Sequence, residues 1–506
     1  MRDLVSAISA LLRSATVLTA LLALDAAAQK VPKVWDEAAL AEWATPVAGL
    51  NVRPGHISAE EYYAAPMEIF RTYPVYYPGR EPAGYWEMLQ KIGPKPIIDT
   101  ETIKNDSDWI EAGRRVFYEM DSPNARTLDP KFIALARTEE TFRGKITPNP
   151  DGTIDGMRWV PTKDGVGLGA PNCATCHERS LPDGTRIPGA PGPSPTFRNP
   201  LRDAIHLLKG TLSGTHVMML EQSLGERLHA AFAVPWADKD SVEALRKMSQ
   251  EELIGFRTAA RRGGGVFRWN GSPLHPAKIP DLIGVKERKY LDHTATHLHR
   301  NAGDFMRYAA QVSYTEATDF GPHHMLPAGA KRIVARASDE ALYALTMYIY
   351  SLKPPQNPNG WNAKAEAGQI IFSKQGCTGC HTPPLYTNNK LTLADGFTPP
   401  ANTPKTLDIL PVSVHTDPGL ALRTRKGTGY YKVPSLKGLW YRGHYLHDGS
   451  VASLEEMFNP ARLLDTYEPG GWTPPNVKKW AIKGHEFGLK LEPSEREELI
   501  AFLRTL

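Results

Sequence analysis

The run Cys377-Thr378-Gly379-Cys380-His381 constrains this chain more than any other stretch, and the pattern returns as Cys173-Ala174-Thr175-Cys176-His177. Cys-x-x-Cys-His is the pattern that attaches a c-type haem. Two thiols three residues apart lie on one side of a helical turn, where they can add to the two vinyl groups of one porphyrin. The adjacent histidine is then held under the iron as its proximal ligand. With 4 Cys and 16 His in 506 residues, about 0.001 chance matches are expected, and here two matches use every cysteine. A four-cysteine zinc site would use paired Cys-x-x-Cys units but no histidine after each pair. A redox disulfide would sit beside a βαβ pattern, which is not evident here. The expected cofactors are two covalently bound haem c groups. Cys173 and Cys176 would carry one over His177, and Cys377 and Cys380 the other over His381.

Apolar residues make up 41% of the chain and charged residues 23%, ordinary values for a globular protein long enough for several domains. The net charge of +4 comes without a basic run or stripe, which argues against a nucleic-acid partner. The 43 Pro and 42 Gly suggest long connecting loops. Residues 1–28 read as a secretory signal: Arg2 and Arg13 supply positive charge, residues 15–24 are apolar, and Ala26-Ala27-Ala28 suits cleavage. The apolar stretch is too short to span a bilayer, so the processed chain is expected not to cross a membrane. A periplasmic or secreted location agrees with covalent haem, since thiols are otherwise oxidised outside the cytoplasm.

Residues 29–105 are rich in Pro, Tyr and Trp and read as an extension wrapped over the main body. Beyond them four landmarks occur twice in the same order. Glu111-Ala112-Gly113 with Phe117 returns as Glu366-Ala367-Gly368 with Phe372, each expected to open an amphipathic helix. The pentapeptide follows. Lys278-Ile279-Pro280-Asp281-Leu282-Ile283-Gly284 returns as Lys432-Val433-Pro434-Ser435-Leu436-Lys437-Gly438, and Tyr290-Leu291 as Tyr445-Leu446. A closing helix begins near Asp339 and again near Glu495. The order predicts two copies of one fold: a mainly α protein with two tandem cytochrome c-type haem domains, long loops and an N-terminal extension. The domains would span residues 106–353 and 361–506, divided by the Pro- and Asn-rich run at 354–360. The first copy carries insertions at about 121–170 and 178–275, the latter with helices expected near 202–209 and 250–262.

The sixth position of each iron decides what it does: two strong protein ligands give an electron-transfer centre, an open position one that can meet oxygen or peroxide. In the second copy His485, within Gly484-His485-Glu486-Phe487-Gly488, is the expected ligand. Met457 is its rival, although it sits in a stretch that looks helical, where Met is usually core. His447 reads as a group that bonds a propionate or fixes its loop. In the first copy His293, His297, His299, His323, His324 and Met325 all compete, and the sequence does not choose among them or against them all.

The stretch from Tyr430 to Trp440, with Tyr445-Leu446-His447-Asp448-Gly449-Ser450, resembles the bacterial dihaem cytochrome c peroxidase superfamily. That group includes the enzyme that matures methylamine dehydrogenase and the dihaem rubber oxygenases. The wide separation of the pentapeptides and the Gly484–Gly488 segment look most like the rubber-oxygenase branch. The resemblance covers about residues 105–506. It implies that the C-terminal haem, with His485 as second axial ligand, passes electrons, and that peroxide or oxygen reacts at the haem of His177. Where peroxidases of this group place a Trp-Asp-Gly-Arg-like segment, followed by Gln and Glu, this chain reads Leu291-Asp292-His293-Thr294-Ala295-Thr296, with Gln311 and Glu316 downstream. The resulting expectation is an oxidoreductase with a small-molecule oxidant or substrate and a redox partner protein, electrons passing Trp440 or Trp269. The rival is a non-catalytic electron carrier with both irons six-coordinate.

Overall fold

The protein is described here from a computed structural model over residues 31–192 except 122–125, 145–146 and 170–172, over 275–472 except 314–317, 322–332 and 334, over 482–506, and at 249 and 265–266. The signal segment, the helices expected near 202–209 and 250–262, and Trp269, His323, His324, Met325 and Glu316 lie outside the described residues.

Two crossed helix pairs organise the chain. Helix α1 (Asp106–Glu119) starts at Asn105, whose side chain accepts from the Asp108 amide, with Asp106 and Asp108 in the first turn where the helix dipole favours them. It crosses the helix Asp339–Ser351, capped by Ser338. The second pair is built alike: Ala363–Lys374, capped by Asn362, crosses Pro493–Thr505, closed by a Glu492–Glu495 capping box. Glu-Ala-Gly therefore does not open these helices, as the sequence suggested, but lies inside them. Its glycine marks the crossing. A Cβ on Gly113 would stand 1.8 Å from the Ala344 carbonyl oxygen, and one on Gly368 1.9 Å from that of Glu498. One turn on, Phe117 packs on Tyr348 with ring centres 5.4 Å apart, and Phe372 on Phe502 at 5.3 Å. The repeat thus encodes one backbone-to-backbone contact, made twice.

Each pair carries its own core. The first gathers Val116, Phe117, Leu342 and Leu345 together with Trp35, Trp43 and Tyr62 of the N-terminal extension. The second gathers Ile371, Phe372, Leu454, Met457, Leu499 and Phe502. The extension also pairs its backbone with the body, since the Thr45 amide donates to the Thr296 carbonyl at 2.9 Å.

The expectation of a mainly α protein holds only in part. Among the described residues there are fourteen α-helices but also six small sheets. Tyr73–Tyr76 of the extension pairs antiparallel with Thr153–Thr162, which pairs with Gly165–Gly169, so the first insertion and the extension share a sheet over Leu89, Phe142 and Trp159. In the second half Leu391–Leu393 lies between Ile409–Ser413 and Tyr430–Lys432, and this sheet delivers the chain into Val433-Pro434. Apart from Thr153–Thr162, the strands run two to five residues, too short to write a two-residue period legibly into a loop-rich sequence.

Candidate functional site

Both pentapeptides form single turns: Cys173–His177 is one turn of α-helix, and Cys377–Gly379 a 3₁₀ turn that Cys380 closes. All four thiols are unpaired. Burial pushes Cys173 up to about 12 and Cys377 up to about 11, as thiols in apolar surroundings behave.

The two histidines are then held in the same way by the repeated Lys-x-Pro segment. His177 Nδ1 lies 3.1 Å from the Pro280 carbonyl oxygen. His381 Nδ1 lies 3.1 Å from that of Pro434 and 3.2 Å from that of Tyr386. A carbonyl only accepts, so Nδ1 carries the proton in each ring and Nε2 is left as the ligating nitrogen. Desolvation pulls His177 down to about 4 and lowers His381 as well, keeping both imidazoles neutral as metal ligation requires.

His485 faces His381, with ring centres 6.4 Å apart and planes at 58°. Two imidazoles bound to opposite sides of one metal at about 2 Å each have ring centres roughly 6 Å apart. The loop that makes this possible is strained and clamped. His485 has φ +47°, its amide donates to the Val414 carbonyl at 2.6 Å, and Arg462 grips it from behind. That guanidinium is fully buried and donates to the carbonyls of Gly484 and His485, both at 2.8 Å, and through Nε to that of Met457 at 3.0 Å. Burial pulls His485 down to about 3. Arg462, in the 3₁₀ turn Pro460–Leu463, was not anticipated from the sequence; nothing there distinguishes it from a surface arginine. Met457 ends the helix Leu454–Met457 and packs in the second core. His447 stacks on Tyr431 with ring centres 4.3 Å apart, and its carbonyl accepts from the Lys278 amide at 2.7 Å, so it joins the two halves.

His381, His485, Cys377 and Cys380 line one cavity of about 300 Å³. Lys278 and Lys432 both reach it, and burial, the largest cause, brings each down to about 7. Two free thiols, two opposed neutral imidazoles, apolar lining residues and two buried lysines fit a porphyrin that carries two carboxylates.

The described candidates for the first iron lie along the hairpin of Tyr290–Leu291 and His297–Leu298. His299 is engaged at both nitrogens, by the Arg288 carbonyl at 2.8 Å and the Tyr350 hydroxyl at 2.6 Å. His293 Nε2 is taken by the Lys278 carbonyl at 2.7 Å. His297 Nδ1 meets Thr296 Oγ1 at 3.0 Å, its Nε2 is buried with no hydrogen-bond partner, and its ring lies 4.0 Å from Trp43. Gln311 donates to Thr318 Oγ1 at 2.7 Å and shares a cavity of about 30 Å³ with His297, Asp292 and Tyr308. Trp440 packs with Ile187, Ile283 and Tyr441 between the halves.

Over less than a third of its length the chain is similar to proteins of the dihaem cytochrome c peroxidase/MauG superfamily. It is 32% identical over 155 residues to the methylamine utilization protein MauG of Methylorubrum extorquens, covering 28% of this chain and 35% of that protein. It is 28% identical over 166 residues to cytochrome-c peroxidase IdrP1 of Denitromonas iodatirespirans, covering 29% of this chain and 40% of that protein. Against the cytochrome-c peroxidase IdrP1 of a Pseudomonas species it is 30% identical over 166 residues, 29% of this chain and 41% of that protein. The matched stretches thus span 35% to 41% of these curated relatives. No family model matches the chain. Among solved structures, a MauG-like protein associated with microbial copper homeostasis shares 20% identity over 33% of this chain and 56% of its own, with a TM-score of 0.22. Hydrazine synthase of Kuenenia stuttgartiensis has the same identity and TM-score over 34% of this chain and 56% of its own. At that score neither carries an argument about the fold. Among the described residues no helix is long and apolar enough to cross a membrane.

Proposed function

We propose that this chain is an exported dihaem c-type cytochrome that works as an oxidoreductase. One haem is held by Cys173, Cys176 and His177 in a module spanning residues 106–353, the other by Cys377, Cys380 and His381 in a module spanning 361–506. The observation that carries the reading is the same one twice: a pentapeptide histidine with Nδ1 donating to the carbonyl of a repeated Lys-x-Pro segment. When bound, the two haems supply one-electron redox chemistry and, at the iron with an open position, a place for oxygen or peroxide. His381 and His485 close the C-terminal site from both sides and make it the electron-passing centre. Of the described candidates for the N-terminal site, His299 is engaged by protein groups at both ring nitrogens and His293 at Nε2, while His297 keeps a buried Nε2 with no hydrogen-bond partner; we take the sixth position above His177 as open. A redox partner protein exchanges electrons near the C-terminal haem, and Trp440 lies between the halves on the way to the haem of His177. A small-molecule oxidant or substrate reacts there.

Absorption and electron-paramagnetic-resonance spectra of the oxidised protein, with and without cyanide or peroxide, test this. The expected result is one low-spin iron and one high-spin iron that takes the added ligand. Two low-spin irons that resist added ligands in both redox states would instead make the protein a non-catalytic electron carrier.

A further inference from the structure

Lys278-Ile279-Pro280-Asp281 and Lys432-Val433-Pro434-Ser435 occupy equivalent places in the two halves, and each proline carbonyl receives one proximal histidine. The residues that follow those prolines, Asp281 and Ser435, are both bound by a single side chain, Arg442. Its Nε donates to Asp281 Oδ2 at 2.9 Å and its Nη1 to the Ser435 carbonyl at 2.6 Å, while Nη2 donates to the carbonyl of Lys437. Tyr441 adds a hydroxyl to Asp281 Oδ2 at 3.1 Å, and Asp281 Oδ1 accepts from the Ile283 amide at 3.0 Å. The opposite side of the Pro280 loop is pinned by Arg288, which donates to the Ile283 carbonyl at 2.7 Å and to that of Asp281. Asp281 and Arg442 are 6% and 9% exposed, so water does not compete for these bonds and the geometry is rigid.

From this geometry we infer that Asp281 and Arg442 form a buried strut that positions both proximal histidines together, so that the two iron sites share one hydrogen-bonded support. The inference rests on the two-haem reading above. It concerns residues that touch neither iron: they act through Pro280 and Pro434. The imidazole Nδ1–H bond to a carbonyl sets how much electron density Nε2 offers its metal, and a stronger bond favours the oxidised iron. A loosened strut lengthens this bond at both histidines and makes both irons easier to reduce.

The test uses Arg442→Lys, Asp281→Asn and Tyr441→Phe in the full chain. Haem content per chain is measured first by the pyridine assay, and a count other than two refutes the two-haem reading rather than the strut. Spectroelectrochemical titration then resolves the two midpoints. Arg442→Lys and Asp281→Asn are expected to raise both midpoints, Tyr441→Phe to raise both by less, and the double variant to shift them no further than the larger single, as members of one unit do. A merely structural defect would lower yield or melting temperature without moving two potentials in the same direction. A shift confined to one iron, or none, in proteins that keep both haems overturns the proposal. If Arg442→Lys fails to accumulate, Tyr441→Phe carries the test by the same criterion.

Discussion

His485 is held in a left-handed backbone conformation that a non-glycine residue adopts at a cost of about 1–3 kcal/mol when the surroundings insist on it. Gly484 makes the approach possible, since a Cβ there would stand 2.2 Å from the His415 backbone, and Arg462 holds the two carbonyls in place. Strain of this kind is retained where a side chain must point one way, here at His381 across the cavity. On the proposed two-haem reading, His485→Ala is therefore expected to convert the iron of His381, half of the total haem, from low spin to high spin while leaving the iron of His177 unchanged. Electron paramagnetic resonance reads both populations, and an unaltered spectrum would remove His485 from the ligand set.

At the level of elements, the glycines of the two helix crossings make the sharpest demand. Ala is the better helix former by about 0.5–1 kcal/mol, yet its methyl would occupy the Ala344 or Glu498 carbonyl. Overpacking costs about 1–3 kcal/mol, occasionally more, and here the obstacle is backbone that cannot rotate away. Gly113→Ala and Gly368→Ala are each expected to lose about 2 kcal/mol or more net, read as a lower urea midpoint at constant slope. Gly360, with nothing within 4 Å of a built Cβ, is the control: Gly360→Ala should leave the midpoint where it is. Equal behaviour of all three would mean that the crossings are not closely packed.

Across the whole molecule, the halves are joined by small shared apolar clusters, as where Tyr290 and Leu298 pack with Leu391 and Tyr430, and by buried polar contacts. Lys426 of the second half reaches Asp292 of the first at 2.6 Å, and Tyr308 donates to the same oxygen at 2.6 Å. The Lys432 amide donates to the His293 carbonyl at 2.9 Å. Burial alone would raise Asp292, but Lys426 and the Tyr308 hydroxyl hold it well below the usual carboxylate range. Breaking such a pair from one side leaves a buried charge alone, at a cost of about 3–5 kcal/mol. Lys426→Met should lose stability on that scale in denaturant unfolding, and adding Asp292→Asn should recover part of it. A loss under about 1 kcal/mol would place the pair in solvent rather than between the halves.

The sequence by itself determined the parts whose signal is local or repeated: both pentapeptides, the histidine within each, the glycine and aromatic that mark each helix crossing, and the closing helices. Those features need only a few residues at set spacing, so they are legible without the fold. The opening helices were anticipated, but Glu-Ala-Gly was misplaced at their start, because the asparagine caps lie six or eight residues before the glycine and the crossing contact dominates the pattern. Most of the small sheets were missed because their strands run only two to five residues. Only the tertiary structure decided that His299 is engaged at both nitrogens, that His297 leans on Trp43 of the extension, and that Arg462 clamps the His485 loop. It also decided that Arg442 meets Asp281, 161 positions away in the chain. A buried arginine and a surface arginine look the same in a sequence; which one it is depends on distant segments meeting around it, and that is settled by packing alone.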